Sequence, residues 1–289
     1  MKKFKNQLLL VIAFMTSGMI SANAQNFQGY ATYQSASKAR SISFKGDGIT
    51  PEMQKQLESA VKKQGQKEYT LKFNLSESSW QEDESLGNAP AGGGTTTAIV
   101  MSVGTGKGSI KYRNTAENQY LEETDLFGKA FLIKDELSRK EWVLTDETKE
   151  IGGYTAQKAI YERTVERSNM SFGSFDDGEE EENTSEIKTY TDTIKVEAWF
   201  TSEIPVSHGP DAYWGLPGLI LELNDGSRTF LCTKVVLNPE EAIEIKRPKK
   251  GKKVSRDEYT EIVKEKMEEM SQKYSGGSGT RVIRIGGGE

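Results

Sequence analysis

Alternating apolar and polar positions dominate this chain and predict β-strands. The clearest run is residues 68–75, where Tyr69, Leu71, Phe73 and Leu75 alternate with polar neighbours. This period of two is typical of a strand with one buried face. Similar or shorter apolar segments predict further strands at residues 29–34, 40–44, 98–103, 108–113, 119–123, 129–133, 142–144, 154–161, 187–200 and 229–237, and one directly after residues 215–220.

Two segments instead have the spacing of amphipathic helices. The first covers residues 50–65, with Thr50 as the predicted N-cap and Pro51 at the first helical position. The second follows the basic run 246–253, where Ser255 and Glu258 have the spacing of a capping box. The apolar face of the second helix is predicted to contain Tyr259, Ile262, Val263, Met267 and Met270.

Strands far outnumber helices, and most connections are short enough for hairpins. We therefore predict an α+β domain over residues 25–274, built on a mainly antiparallel, curved, half-barrel-like sheet with two short helices at its ends or in its concavity. Residues 81–96 and 174–185 are glycine-rich or acidic and predict flexible loops. Residues 275–289 are predicted to form a flexible tail.

The N-terminus has the three parts of a secretory signal peptide. Lys2, Lys3 and Lys5 are basic, residues 8–14 are apolar, and residues 22–24 read Ala-Asn-Ala. Such a small-residue site predicts cleavage between residues 24 and 25, so that the mature chain begins at Gln25. No later segment approaches the roughly 20 apolar residues that a spanning helix needs. We therefore expect a periplasmic or secreted protein without a transmembrane segment in the mature chain.

Charge and composition narrow the classes of function. The formal net charge of −5 argues against nucleic acid as a partner. The chain has one histidine, His208, and one cysteine, Cys232. A zinc site normally takes three or four His or Cys ligands, so no metal site is predicted. His208 lies in a loop rich in proline and glycine, where a hydrogen bond within the loop or exposure to solvent is expected, and Cys232 is predicted to be a small buried side chain.

No pair of side chains marks a catalytic site. The acidic run at residues 176–182 lacks the alternating ligands of a calcium loop and predicts a solvated hairpin tip. Carboxylates are abundant, and the two carboxylates of a glycosidase need to meet only in space. A carboxylate-dependent hydrolase therefore stays open as an alternative. We predict no catalytic residue and no cofactor.

The most distinctive stretch is residues 215–220, which read Gly-Leu-Pro-Gly-Leu-Ile after Tyr213 and Trp214. The stretch resembles the sequence after which the GLPGLI family of exported bacterial proteins is named, and the resemblance is strongest over residues 151–223. It implies an exported protein but no established activity. A structural role accounts for the motif if Gly215 and Gly218 serve a turn or close packing and the following leucines enter the core. Alternatively, Tyr213, Trp214 and Pro217 are candidates for a recognition surface, because Tyr and Trp are favoured at interfaces.

The sequence thus favours a non-enzymatic binding or accessory protein of the cell envelope. An outer-membrane protein or a hydrophobic ligand is the partner we expect. The alternatives are the hydrolase and a structural component of the envelope.

Overall fold

The computed structural model describes residues 27–37, 42–43, 66–83, 109–169, 188–275 and 284–285. Several sequence predictions lie outside these residues and stay untested. They are the signal peptide, the helix at residues 50–65, the strand at 98–103, the acidic loop 174–185 and most of the loop 81–96.

Most described residues belong to strands. The elements in chain order are β1 (Gln28–Ser37), β2 (Ile42–Ser43), β3 (Gln66–Asn74), β4 (Glu77–Glu82), β5 (Ile110–Asn114), β6 (Gln119–Leu126), β7 (Lys129–Glu136), β8 (Val143–Ile151), β9 (Tyr154–Asn169), β10 (Lys188–Thr201), β11 (Leu219–Asn224), β12 (Arg228–Leu237), β13 (Lys252–Val254), the helix α1 (Arg256–Ser275) and β14 (Arg284–Ile285).

Twelve of these strands form one sheet in the order β13-β7-β6-β5-β4-β3-β1-β12-β11-β10-β9-β8, while β2 and β14 form a separate pair. Neighbouring strands of the large sheet run antiparallel, except that β13 pairs with β7 in parallel. The sheet has two edges, β13 and β8, and does not close into a barrel. The predicted mainly antiparallel, open sheet is therefore confirmed.

The sheet is strongly curved. Six strands separate β5 from β9 in the sheet order. At the usual spacing of about 4.8 Å between strands, these two strands would lie more than about 30 Å apart in a flat sheet. Side chains of both strands nevertheless line one pocket. The sheet must therefore curl until its two halves face each other across a concave side.

The concave side is filled by the loop that joins β10 to β11, which we call the inner loop (residues 202–218). Its Ile204, Val206 and Leu216 are buried in the main core, together with side chains from seven strands. Those strands contribute Ala31, Tyr33, Leu71, Phe73, Trp80, Ala159, Val196, Phe200, Leu219, Ile220, Leu223 and Phe230, among others. Among the described residues, a loop therefore packs on this face of the sheet.

The described helix packs at one end of the sheet. Side chains Tyr259, Ile262 and Val263 of α1 contact a small core formed by Leu126, Phe131, Ile133 and Val254. The predicted capping box is confirmed, because the Ser255 amide donates to Glu258 and the Glu258 amide donates to the Ser255 hydroxyl at 3.1 Å. At 20 residues, α1 is longer than predicted, and the other predicted helix, at residues 50–65, lies outside the described residues. No described helix is both long and apolar enough to cross a membrane.

The short strands β4, β13 and β14 were not predicted, and one predicted loop was partly wrong. Residues 81–82, assigned to a flexible loop, belong to β4. β13 arises from the basic run before α1, and β14 from the predicted tail.

Cys232 also differs from its prediction, because its side chain is only partly buried against the main core. Burial raises the pKa of its thiol to about 11, so the thiol stays protonated near neutral pH.

Candidate functional site

The inner loop is fixed to the sheet by a buried arginine. Arg113 of β5 is almost completely buried, and its guanidinium donates to the carbonyl oxygens of Gly209 at 2.7 Å and Tyr213 at 2.8 Å. On the other side, the Trp142 indole donates to the Trp214 carbonyl at 2.9 Å. These bonds satisfy carbonyls that the loop would otherwise bury without a partner, which is costly.

The hexapeptide forms the end of this loop and the start of β11. Gly215 has a φ of +98°, a region that L-residues rarely adopt. Gly218 instead has an ordinary φ, but a Cβ there would lie 2.5 Å from the carbonyl carbon of Thr201. Leu219 and Ile220 are fully buried. The hexapeptide is therefore a buried corner in which one glycine serves the turn and the other permits close packing.

Beside the inner loop lies a pocket of about 290 Å³ between the two halves of the sheet. Its lining is mainly charged side chains and tyrosines contributed by strands, loops and the start of α1. They are Lys111, Tyr120, Glu122, Lys140, Tyr161, Arg163, Asp211, Ala212, Tyr213, Asp225, Arg228 and Arg256. The pocket thus differs from the hydrophobic concavity that a lipid-like ligand would need.

Asp211 of the inner loop is a buried carboxylate of the pocket that two cations hold. It accepts hydrogen bonds from Lys111 of β5 and from Arg228 of β12, the latter at 2.7 Å. Burial alone would raise the pKa of this carboxyl, but the two cations lower it well below its usual range. Asp211 is therefore ionised at any physiological pH.

Glu122 of β6 is held in a similar way. It forms an ion pair with Arg256 and accepts a hydrogen bond from the Tyr120 hydroxyl at 2.8 Å. Burial opposes its ionisation, yet Lys111 and Arg256 lower the pKa of this carboxyl below its ordinary value.

The lowered pKa values of these two carboxylates do not suit the role of a general acid. A glycosidase acid needs a raised pKa so that it keeps its proton near neutral pH. Asp211 and Glu122 have lowered pKa values, and Asp225 is used in the turn between β11 and β12, where it accepts from the amides of Ser227 and Arg228. This arrangement gives no support to the hydrolase alternative within the described pocket.

His208 lies inside the core and not on the pocket wall. It is fully buried, and its Nε2 lies 3.0 Å from the Asn74 carbonyl oxygen of β3. Because a carbonyl only accepts, Nε2 carries the proton. Burial, and to a smaller extent the charge of Arg113, lower the pKa of His208 to about 3. A hydrogen bond is therefore found, but its partner lies on β3 and not within the loop, and the expected alternative of exposure to solvent is wrong. The neutral ring fastens the inner loop to β3.

The three predicted recognition residues are neighbours along the chain but differ in exposure. Tyr213 is mostly buried and lines the pocket. Trp214 is half-buried and Pro217 is exposed, and neither lines the pocket. Their role in binding stays a prediction. The pocket cations Lys140 and Arg163 were missed, because nothing in their local sequence distinguishes them from other surface cations.

Within the described part of the chain, no group of three or more His, Cys, Asp and Glu side chains is placed to hold a metal ion.

Comparison with known proteins gives a family-model match over part of the chain but no activity. A family model described as a protein of unknown function (Porph_ging) matches residues 142–222. The matched segment includes β8, the inner loop and the hexapeptide, and covers nearly all of the region where the family resemblance was strongest. No curated protein matches the chain.

Two solved structures are similar to part of the fold. They are structures of PNGF-II in space groups C2 and P21, with TM-scores of 0.45 and 0.46 and sequence identities of 16% and 15%. The alignments cover 82% of this chain but only 32% and 33% of those chains. The chain thus spans about a third of their length, and a likeness at this level supports no conclusion about activity.

Proposed function

We propose that this chain is an exported, non-enzymatic binding protein of the cell envelope that holds a small polar ligand in the pocket. The single observation behind the proposal is a pocket of about 290 Å³ lined by charged side chains and tyrosines. Ligand pockets usually measure about 300–1,000 Å³, so this volume favours a ligand of the size of a sugar or an amino acid. The intact hexapeptide within the matched segment supports membership of the GLPGLI family, and the predicted signal peptide supports export to the periplasm.

A rigid wall around the pocket favours binding over catalysis. Asp211 and Glu122 are both fully paired and ionised, so they are suited to position cations and not to move protons. The buried inner loop keeps Asp211 and Tyr213 in place, because Arg113 and His208 fasten it to two different strands. A preformed site of this kind loses little conformational entropy when a ligand binds.

Purification of the mature protein from the envelope of its native cell tests this proposal. Native mass spectrometry should show a bound small molecule that is released on denaturation, and N-terminal sequencing should begin at Gln25. A retained Met1 would reject export. A protein that carries no ligand and gains no thermal stability from envelope extract would reject the binding function.

A second candidate is an accessory role toward an outer-membrane protein, favoured by a patch at the sheet edge. Val143 and Leu144 of the edge strand β8 are 65% and 49% exposed. They follow Trp142, whose indole donates a hydrogen bond to the backbone carbonyl of Trp214. A photo-crosslinker at residue 143 should capture an outer-membrane protein in cells if this role is correct, whereas one at the exposed Lys195 should not.

A further inference from the structure

The charges that line the pocket do not balance. Five cationic side chains face three carboxylates there. All three carboxylates already have cationic partners, because Asp211 binds Lys111 and Arg228, Asp225 binds Arg228, and Glu122 binds Arg256. Two of the five cations, Lys140 and Arg163, are therefore left without a carboxylate of the pocket.

Lys140 lies between two aromatic rings. Its ammonium is 5.6 Å from the ring centre of Tyr161 and 5.9 Å from that of Tyr213. Such contacts stabilise a cation only modestly and leave its hydrogen-bond donors free. Burial, together with the nearby charges of Arg113 and Arg163, lowers the pKa of Lys140. The ammonium is thus partly removed from water and crowded by like charges.

Arg163 comes from the same strand as Tyr161. The two residues are two positions apart, so in a strand their side chains point to the same face. The Nε of Arg163 is buried and has no hydrogen-bond partner in the described structure. An unpaired, buried guanidinium nitrogen costs free energy that a bound acceptor would recover.

We infer that Lys140 and Arg163 form an oxyanion subsite, so that the ligand of this pocket carries a carboxylate, sulfate or phosphate group. An oxyanion would offset the two unbalanced charges and accept hydrogen bonds from both side chains. The guanidinium is suited to this task because its planar fork matches the oxygen atoms of such groups. The Tyr213 phenol, whose pKa is raised by burial to about 12, stays protonated and can donate as well. This inference rests on the proposed binding function and specifies its ligand class.

Lys195 provides a matched control for the loss of a positive charge at Arg163. Arg163 pairs with Ile194 across β9 and β10, so both side chains lie on the concave face. The next residue, Lys195, points to the opposite face, is 52% exposed and does not line the pocket. Lys195→Gln removes one positive charge from the same strand pair without touching the pocket, and Arg163→Gln removes one from inside it.

Calorimetric titration with phosphate, sulfate and glucuronate, with glucose as the uncharged counterpart of glucuronate, tests the subsite. The mature wild-type protein should bind at least one of the anions, and glucuronate more tightly than glucose. Arg163→Gln and Lys140→Gln should each weaken anion binding by about tenfold or more, as loss of a charge-assisted contact predicts. Lys195→Gln should leave it unchanged, and circular dichroism should show that all three variants are folded.

Two results would overturn the inference. One is the absence of binding of all three anions at millimolar concentration. The other is equal weakening by Arg163→Gln and Lys195→Gln, which would indicate a general effect of net charge. If glucose or the co-purified native ligand still binds in either case, the proposed binding function stands and only the oxyanion subsite fails. If neither these molecules nor the native ligand binds, the binding function itself fails.

Discussion

Gly218 is the residue where the hexapeptide depends most directly on the absence of a side chain. A Cβ there would contact the backbone of Thr201 and Ser202, which cannot move aside as a side chain can. Gly218→Ala should therefore lower the free energy of unfolding by about 1–3 kcal/mol, the usual cost of overpacking, or by more. Chemical denaturation of the purified variant measures this loss.

Gly215→Ala is the variant with which the stability of Gly218→Ala should be compared. Gly215 has a positive φ, but a Cβ there would meet only the Trp142 indole at 4.0 Å. Backbone strain alone should cost about 1 kcal/mol. An unchanged stability for Gly218→Ala, or a larger loss for Gly215→Ala, would contradict the close packing at Gly218.

His208 should make the fold sensitive to acid. The unfolded chain takes up a proton on this ring below about pH 6.5, whereas the folded protein resists protonation down to a pKa of about 3. Protonation therefore favours the unfolded state. The stabilising contribution is complete above pH 6.5 and is lost as the pH falls, by up to about 1.4 kcal/mol per pH unit.

A non-titrating replacement separates this effect from other acid effects. His208→Gln keeps an N–H that can donate to the Asn74 carbonyl but cannot be protonated in this range. Denaturation curves at pH 7, 6 and 5 should show a steeper loss of stability for the wild type than for His208→Gln. Parallel pH profiles for the two proteins would show that His208 does not titrate on unfolding.

At the scale of elements, substitutions in the inner loop and in β11 distinguish residues that stabilise the fold from candidates for recognition. Leu219 is fully buried at the start of β11, so Leu219→Ala should lower the free energy of unfolding by roughly 2–5 kcal/mol. Trp214 is half-buried, and its backbone carbonyl, not its indole, accepts the hydrogen bond from Trp142. Trp214→Ala should therefore change the melting temperature much less than Leu219→Ala does. Equal losses for the two variants would show that the Trp214 indole is part of the core.

Elements with a clear local pattern could be predicted from the sequence, and elements without one could not. β3 was predicted because Tyr69, Leu71 and Phe73 alternate with polar residues. β4 was missed because two of its three buried side chains are Ser78 and Ser79, which do not count as hydrophobic in any pattern. α1 was predicted because its cap is encoded locally by Ser255 and Glu258.

At the scale of the whole molecule, the pocket could not be predicted. Its residues come from segments as far apart as Lys111 and Arg256, and they meet only because the sheet curls and the inner loop fills its concave side. The local pattern of apolar residues carries no information about contacts between segments that lie so far apart in the chain. Of the predicted recognition residues, only Tyr213 lines the pocket, on the inner loop that Arg113 holds through the Tyr213 carbonyl, and its charged neighbours there belong to no motif.

Asp211 should matter to the whole molecule because it joins three parts of the fold. It lies on the inner loop and binds Lys111 of β5 and Arg228 of β12, strands that are separated by three others in the sheet. Asp211→Asn would leave the partly buried Lys111 without its carboxylate partner and Arg228 with Asp225 alone. Breaking a buried ion pair in this way usually costs about 3–5 kcal/mol, and we expect a loss of that order in chemical denaturation.

The ion pair between Lys266 and Glu269 on the exposed side of α1 provides the control. Glu269→Gln removes a carboxylate of the same kind from a surface pair, which should change the free energy of unfolding by less than about 1 kcal/mol. Adding Lys111→Met to Asp211→Asn should then cost less than the sum of the single changes, because the two residues share one interaction. Strict additivity, or a loss for Asp211→Asn no larger than that for Glu269→Gln, would show that the two halves of the sheet are held together without this carboxylate.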